Sequence, residues 1–179
     1  LQLAGAGLGI ISLFTYPIFT ALLEPLLLKT KFNPKHILLG LVVLLGLYIL
    51  TPEFKIGNNI TLGICYGILS AIFFAIRNIL MKKHVSNYNP IVLMFYQVGF
   101  ISLLFWPSFF LFDFNFESYT IQLPFLVFLG IFTTAAGHTL LVKSFVNFSA
   151  TTASLLSCMQ PLFGILLAYI FLDEVPTIA

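Results

Sequence analysis

The chain has 179 residues, 60% of them hydrophobic and only 8% charged, with a net charge of +2 and a mean hydropathy of +1.07. Soluble domains carry about 25% charged residues, so this composition cannot cover a globule with a wetted surface, and lipid must be its solvent. The net charge is too small to carry weight as a total, and nucleic acid is not an expected partner. The two cysteines, Cys65 and Cys158, sit inside apolar runs without CxxC or Cys/His spacing. They read as small core residues rather than a disulfide framework or a metal site.

A membrane span needs about 20 apolar residues to cross a ~30 Å hydrocarbon layer. In chain order, such runs fall at residues 3–28, 36–50, 60–81, 90–112, 123–145 and 151–172. The expected fold class is therefore all-α, a polytopic transmembrane helix bundle with six spans. The connections, among them "KTKFNPK", "TPEFKIGNN", "KKHVSNYNP" and "VNFSA", are short and rich in Pro, Asn and Gly, and none can fold as a soluble domain. The first segment has no cationic n-region or cleavage site and is not a signal peptide. A chain that opens on Leu-Gln and stops five residues after Glu174 is expected to be part of a longer protein.

The cations set an orientation. Lys29, Lys31, Lys35, Arg77, Lys82, Lys83 and Lys143 fall on one side of this topology, and only Lys55 falls on the other, with Glu53, Asp113, Glu117, Asp173 and Glu174. The side rich in Lys and Arg is expected to be cytoplasmic.

Two phrases repeat. With Pro17 placed over Pro161 in "LFTYPIFTALLEPLLLKTK" and "LLSCMQPLFGILLAYIFLDE", Phe19 meets Phe163, Leu22 and Leu23 meet Leu166 and Leu167, and Leu28 meets Leu172. The first copy ends on Lys29-Thr30-Lys31 and the second on Asp173-Glu174, as expected for one helix crossing in opposite directions. Five crossings separate the copies, which agrees. This is the mark of an inverted-topology repeat, a transporter architecture.

The stretch "TTAAGHTLLVKSFVNFSATTASLLSCMQPLFGILLAYIFLDE" resembles the most characteristic part of the EamA-type families in the drug/metabolite transporter superfamily. "AIFFAIRNILMKKH" with the following "NP" similarly resembles the opening helix of the second half of such proteins. The resemblance implies ten helices in two inverted five-helix halves. Residues 1–52 would then be the last two helices of the first repeat, and 53–179 the first four of the second. Two departures stand out: Thr30 replaces the first half's terminal acid, and His138 stands where an aromatic residue is common.

Residues suited to a substrate pathway are few. Pro17 and Pro161 free carbonyls one turn earlier, so each is either a hinge or a static bend. Small residues recur every four positions at Gly63, Gly67, Ala71 and Ala75, and every three or four through Ala150, Ser154, Ser157, Pro161 and Gly164, a pattern that favours close helix packing. Arg77 lies ~7–8 Å from the end of its span and reads as an interfacial anchor or a pathway residue. Glu24, beside Pro25, is expected to meet Lys29 or Lys31 at the interface. His138 lies deeper and shares a four-residue stripe with Gly130 and Thr134, so it should face the bundle interior near Pro161 and Gln160. Its imidazole is either a structural hydrogen-bond partner or a contact for substrate or protons. Gln160, Gln97, Asn78, Tyr16 and Ser157 complete the candidate lining.

HExxH, GxSxG and Walker signatures are absent, as are paired intramembrane carboxylates, so neither a cofactor nor a bound metal is expected. The expected function is secondary transport, by export, of a small organic metabolite across a plasma (inner) membrane, with proton or ion coupling and a second copy as a candidate partner. A membrane-embedded enzyme acting on lipid-linked substrates, or a scaffold or sensor, is the alternative.

Overall fold

A computed structural model describes residues 12–49, 58–111 and 121–172. The start of the first expected span, the acids Glu53, Asp113, Glu117, Asp173 and Glu174, and Lys55 lie outside the described residues. The fold is all-α, and among the described residues there is no strand. In chain order the helices are α1 (Tyr16–Leu28), α2 (Pro34–Ile49), α3 (Asn58–His84), α4 (Pro90–Phe105), α5 (Ser108–Leu111) and α6 (Leu123–Leu129). A π-helical segment, Gly130–Gly137, follows, then α7 (His138–Ser144), α8 (Ala150–Ser157) and α9 (Gln160–Leu172).

Two stretches, Thr61–His84 and the run Leu123–Ser144, are long and apolar enough to cross a membrane. Only 22% and 6% of their most apolar windows are buried, which is the reverse of a soluble core helix and leaves apolar side chains facing outward. The shorter apolar helices at Tyr16–Leu28, Pro34–Gly46 and Pro90–Phe105 overlap the other spans expected near the start and middle of the chain.

Three expected spans are not continuous, and proline is at each interruption. The chain turns at residues 14–15, just before Tyr16-Pro17, and again at 158–159, just before Gln160-Pro161. Proline has no N–H to continue the ladder, and its ring disfavours helix in the residue ahead of it. The two turns stand 144 positions apart, and each opens a helix of 13 residues with proline at its second position. The two phrases that align in the letters thus carry similar interruptions. α4 stops at residues 106–107, again at a proline, before the short α5.

The chain forms two compact units, one of residues 1–80 with 148–179 and one of residues 81–147. In the first unit α1 packs against α8 and α2, and α8 also touches α2. The face of α3 carrying Ala71, Ala75, Asn78 and Ile79 is buried. Gly67 on α3 lies so close to Ser12 that a Cβ there would collide with the serine side chain, and a Cβ at Gly40 of α2 would come within 2.7 Å of Ile18 Cγ1. The small-residue stripe of α3 therefore serves close packing. The later stripe does so at Ala150 and Ser154, which are buried, but not at Gly164, where a Cβ would meet open space. Cys65 corrects the sequence reading. It is exposed on the outside of α3, because the apolar run around it faces outward on that side rather than into a core.

In the second unit α4 packs on α7. Asn89 caps α4, its Oδ1 accepting the Ile91 N–H at 2.9 Å, with Pro90 at the first helical position, where a missing N–H costs nothing. Lys82 Nζ donates to the Phe145 carbonyl at the end of α7, at 2.5 Å, placing a cation on the negative end of a helix.

Candidate functional site

α1 presents Tyr16, Thr20 and Glu24 at four-residue spacing, a helical stripe, and all three are buried in the first unit. Thr20 satisfies itself by donating to the Tyr16 carbonyl at 2.8 Å. The other two reach α8. The Tyr16 hydroxyl donates to the Ser154 carbonyl at 3.2 Å. The Glu24 carboxylate accepts from the Ala150 and Thr151 backbone N–H groups, both at 2.8 Å, and from the Thr151 hydroxyl at 2.6 Å. As numbering rises along α1 from 16 to 24, the partners on α8 fall from 154 to 150, so these helices run antiparallel.

The interruption at 158–159 explains why Ser154 needs Tyr16. In a continuous helix the Cys158 N–H would bond the Ser154 carbonyl. Here it is drawn to the Leu155 carbonyl instead, at 3.1 Å. The Ser154 oxygen is left to the tyrosine hydroxyl, with the Cys158 thiol at 3.5 Å as a second, weaker donor. The same serine binds α3 through its side chain, where Asn78 Nδ2 donates to Ser154 Oγ at 3.4 Å. Asn78 Oδ1 in turn accepts from Arg77 Nη1 at 2.9 Å.

Aromatic rings complete the cluster. Phe74 stands edge-on to Tyr16 with centroids 4.9 Å apart, and the Arg77 guanidinium lies 5.7 Å from the Phe74 ring centre. Arg77 is thus half-buried among Phe74 and Asn78 rather than a simple anchor reaching outward, since a planar guanidinium can stack on a ring while donating in its own plane. Among the described residues no buried side-chain nitrogen or oxygen lacks a partner.

The structure therefore joins Tyr16, Arg77 and Asn78 in one network. Pro17 is buried beside them, Ser157 is half-buried with its hydroxyl on the Ala153 carbonyl at 2.9 Å, Pro161 is half-buried and Gln160 is exposed. Gln97, Thr134 and His138 belong to the second unit. There Gln97 and His138 are half-buried and Thr134 is exposed. An open apolar groove of about 530 Å³ is lined by Ile91, Met94 and Val98 of α4 and by Ala135, Ala136 and Leu140 of the π segment and α7.

The stripe drawn through Gly130, Thr134 and His138 assumed α-helical spacing. The π segment bonds i to i+5, and the His138 N–H donates to the Thr133 carbonyl, so residues four apart no longer stack in line. Gly130 and Thr134 are exposed, as are all residues from 121 to 137, while His138 is half-buried. Glu24 is a second correction: it caps α8 rather than meeting Lys29 or Lys31. An incipient helix offers unpaired N–H groups and a positive dipole end, which hold a buried carboxylate without a cation. Ser154, Phe74 and Thr20 were missed as members of the network. The four-residue spacing of Tyr16, Thr20 and Glu24 was the available signal.

Residues 61–179 match the model of the EamA-like transporter family. The chain belongs to this family. It is 25% identical over 173 residues to an uncharacterized transporter of Clostridium kluyveri, covering 89% of this chain and 54% of that protein. To an uncharacterized transporter of Archaeoglobus fulgidus it is 24% identical over 178 residues, covering 99% of this chain and 63% of that one. The chain thus spans between 54% and 63% of the length of these curated relatives. No solved structure matches it. Many of its leucines and phenylalanines are exposed, which suits a membrane protein. The polar network straddles the family match: Arg77, Asn78 and Ser154 fall inside it, while Tyr16 and Glu24 precede it.

Proposed function

We propose that the full-length protein is a secondary transporter that exports small organic metabolites by alternating access. Residues 1–52 supply the last two helices of its first repeat, and 53–179 the first four of its second. One observation carries this reading. Two proline-led helices of equal length open after matching interruptions, and the first of them runs antiparallel to the segment that leads into the other. Interrupted helices related by an inverted repeat are how secondary transporters build a midplane site. The start of the family match at residue 61, near the proposed repeat boundary, supports the division.

In this reading the network of Tyr16, Arg77, Asn78 and Ser154, with Pro17 and Ser157 beside it, lies along the pathway. Gln160, Pro161, Gln97, Thr134 and His138 contribute to its lining. The loops rich in Lys and Arg face the cytoplasm, the membrane is the plasma (inner) membrane, and a proton or ion gradient drives transport. Counterflow with the full-length protein in liposomes tests the proposal. Saturable exchange of a preloaded metabolite is expected. Turnover without exchange would establish an enzyme instead, and neither activity would leave a scaffold or sensor.

A further inference from the structure

We infer that Glu24 is a latch of the transport cycle, a positioning residue whose bonds to the start of α8 hold the pathway shut on its cytoplasmic side. The inference rests on the transporter reading for the word cycle and on the cation distribution for the side. The latch itself rests on geometry. Glu24 is only 5% exposed, and its partners among the described residues are all neutral: two backbone N–H groups and one hydroxyl. Ser149 meanwhile accepts the Thr152 N–H at 3.0 Å. The three N–H groups that open α8 are therefore all taken, two of them by a side chain from α1.

Such a contact has two stable states and little between them. A carboxylate pulled away in a dry environment strands a charge and three donors, each expensive to leave unpaired. Once water reaches the site, both sides are satisfied separately. Opening is therefore tied to hydration from the adjacent aqueous side, as a gate requires. Glu24 lies four residues before the end of α1 at Leu28, close to the side where Lys29 and Lys31 follow.

The backbone allows the movement. α1 is bounded by the turn at residues 14–15 and carries Pro25 next to Glu24, so the ladder is weakened at two points. The second repeat has no counterpart for the latch, because the position 144 residues after Glu24 is Ala168. The two aligned helices thus differ at the residue that forms the latch.

The test uses the full-length protein in membranes, with Cys158 kept as the sole cysteine. An impermeant maleimide is applied to inside-out and to right-side-out vesicles. Glu24→Gln keeps the size of the side chain but offers one acceptor oxygen and turns an NH2 toward the donors. It should raise Cys158 labelling from the cytoplasmic face roughly 10-fold, with no rise from the external face. Glu24→Asp, which keeps the charge, should restore part of the protection. Thr151→Val removes only the hydroxyl donor and should act in the same direction by a smaller factor, and it carries the test alone where Glu24→Gln fails to accumulate. Unchanged labelling overturns the latch, and so does an equal rise from both faces, which is general loosening. Because labelling needs no substrate, the latch can fail while counterflow succeeds, and the reverse.

Discussion

Replacing Tyr16 with phenylalanine isolates one bond in the network. The ring of residue 16 keeps its edge-on contact with Phe74, 4.9 Å between centroids, so packing is preserved and only the hydroxyl is lost. That hydroxyl is the main donor to the Ser154 carbonyl, which the turn at 158–159 has deprived of its helical partner. Leaving a buried acceptor unpaired costs about 1–3 kcal/mol in proteins generally. Two effects lower the figure here. Hydrogen bonds between membrane helices average about 0.6 kcal/mol and reach about 1.7 kcal/mol, and the Cys158 thiol at 3.5 Å remains as a weak substitute.

Tyr16→Phe should therefore destabilise the folded protein by about 1 kcal/mol, and Tyr16→Phe with Cys158→Ala by more than the sum of the two single changes. Reversible unfolding of the full-length protein in mixed micelles, run as a double-mutant cycle, measures both quantities. A Tyr16→Phe effect below about 0.3 kcal/mol, or strict additivity with Cys158→Ala, would refute the account of Ser154 as a carbonyl freed by the helix break.

Gly67→Ala should destabilise by about 1–3 kcal/mol in the same unfolding assay, because its methyl would overlap the Ser12 side chain. His138→Gln should express at the wild-type level yet lose counterflow or its pH dependence. Retention of both would reduce His138 to a structural hydrogen-bond partner.

Much of the fold was legible because hydrophobic length and proline punctuation report directly on spans. α2, α3 and the run through α6 and α7 begin and end within a few residues of the expected limits. The interruptions were less legible. Proline announces a disturbed ladder at residues 17 and 161, but a bend and a break share the same letters, and neighbouring helices decide which forms. The π segment left no signal that separates i+5 from i+4 bonding, so the stripe through His138 was drawn on the wrong period. Glu24 was misplaced for a different reason. Its charge points to Lys29 or Lys31 as a partner, yet its partners are chiefly backbone N–H groups, which every residue but proline carries and which no sequence pattern advertises.

The same point bears on how this interface can persist when its sequence changes. On α8 the atoms that receive α1 are mostly main-chain: the N–H groups of Ala150 and Thr151 and the carbonyl of Ser154. Main-chain groups survive any substitution other than proline that preserves the helix, so specificity is concentrated in the side chains of Tyr16 and Glu24. On α8, by contrast, the requirement is mainly for small size, which Ala150, Ala153 and Ser154 meet by being buried at close approach. A helix chosen for smallness and for where it starts and breaks can drift widely in sequence. Identity of about a quarter to its transporter relatives is then compatible with the same pair of helices. The constraint falls instead on the turns at residues 14–15 and 158–159, because they decide which backbone groups are left for the opposing helix to hold.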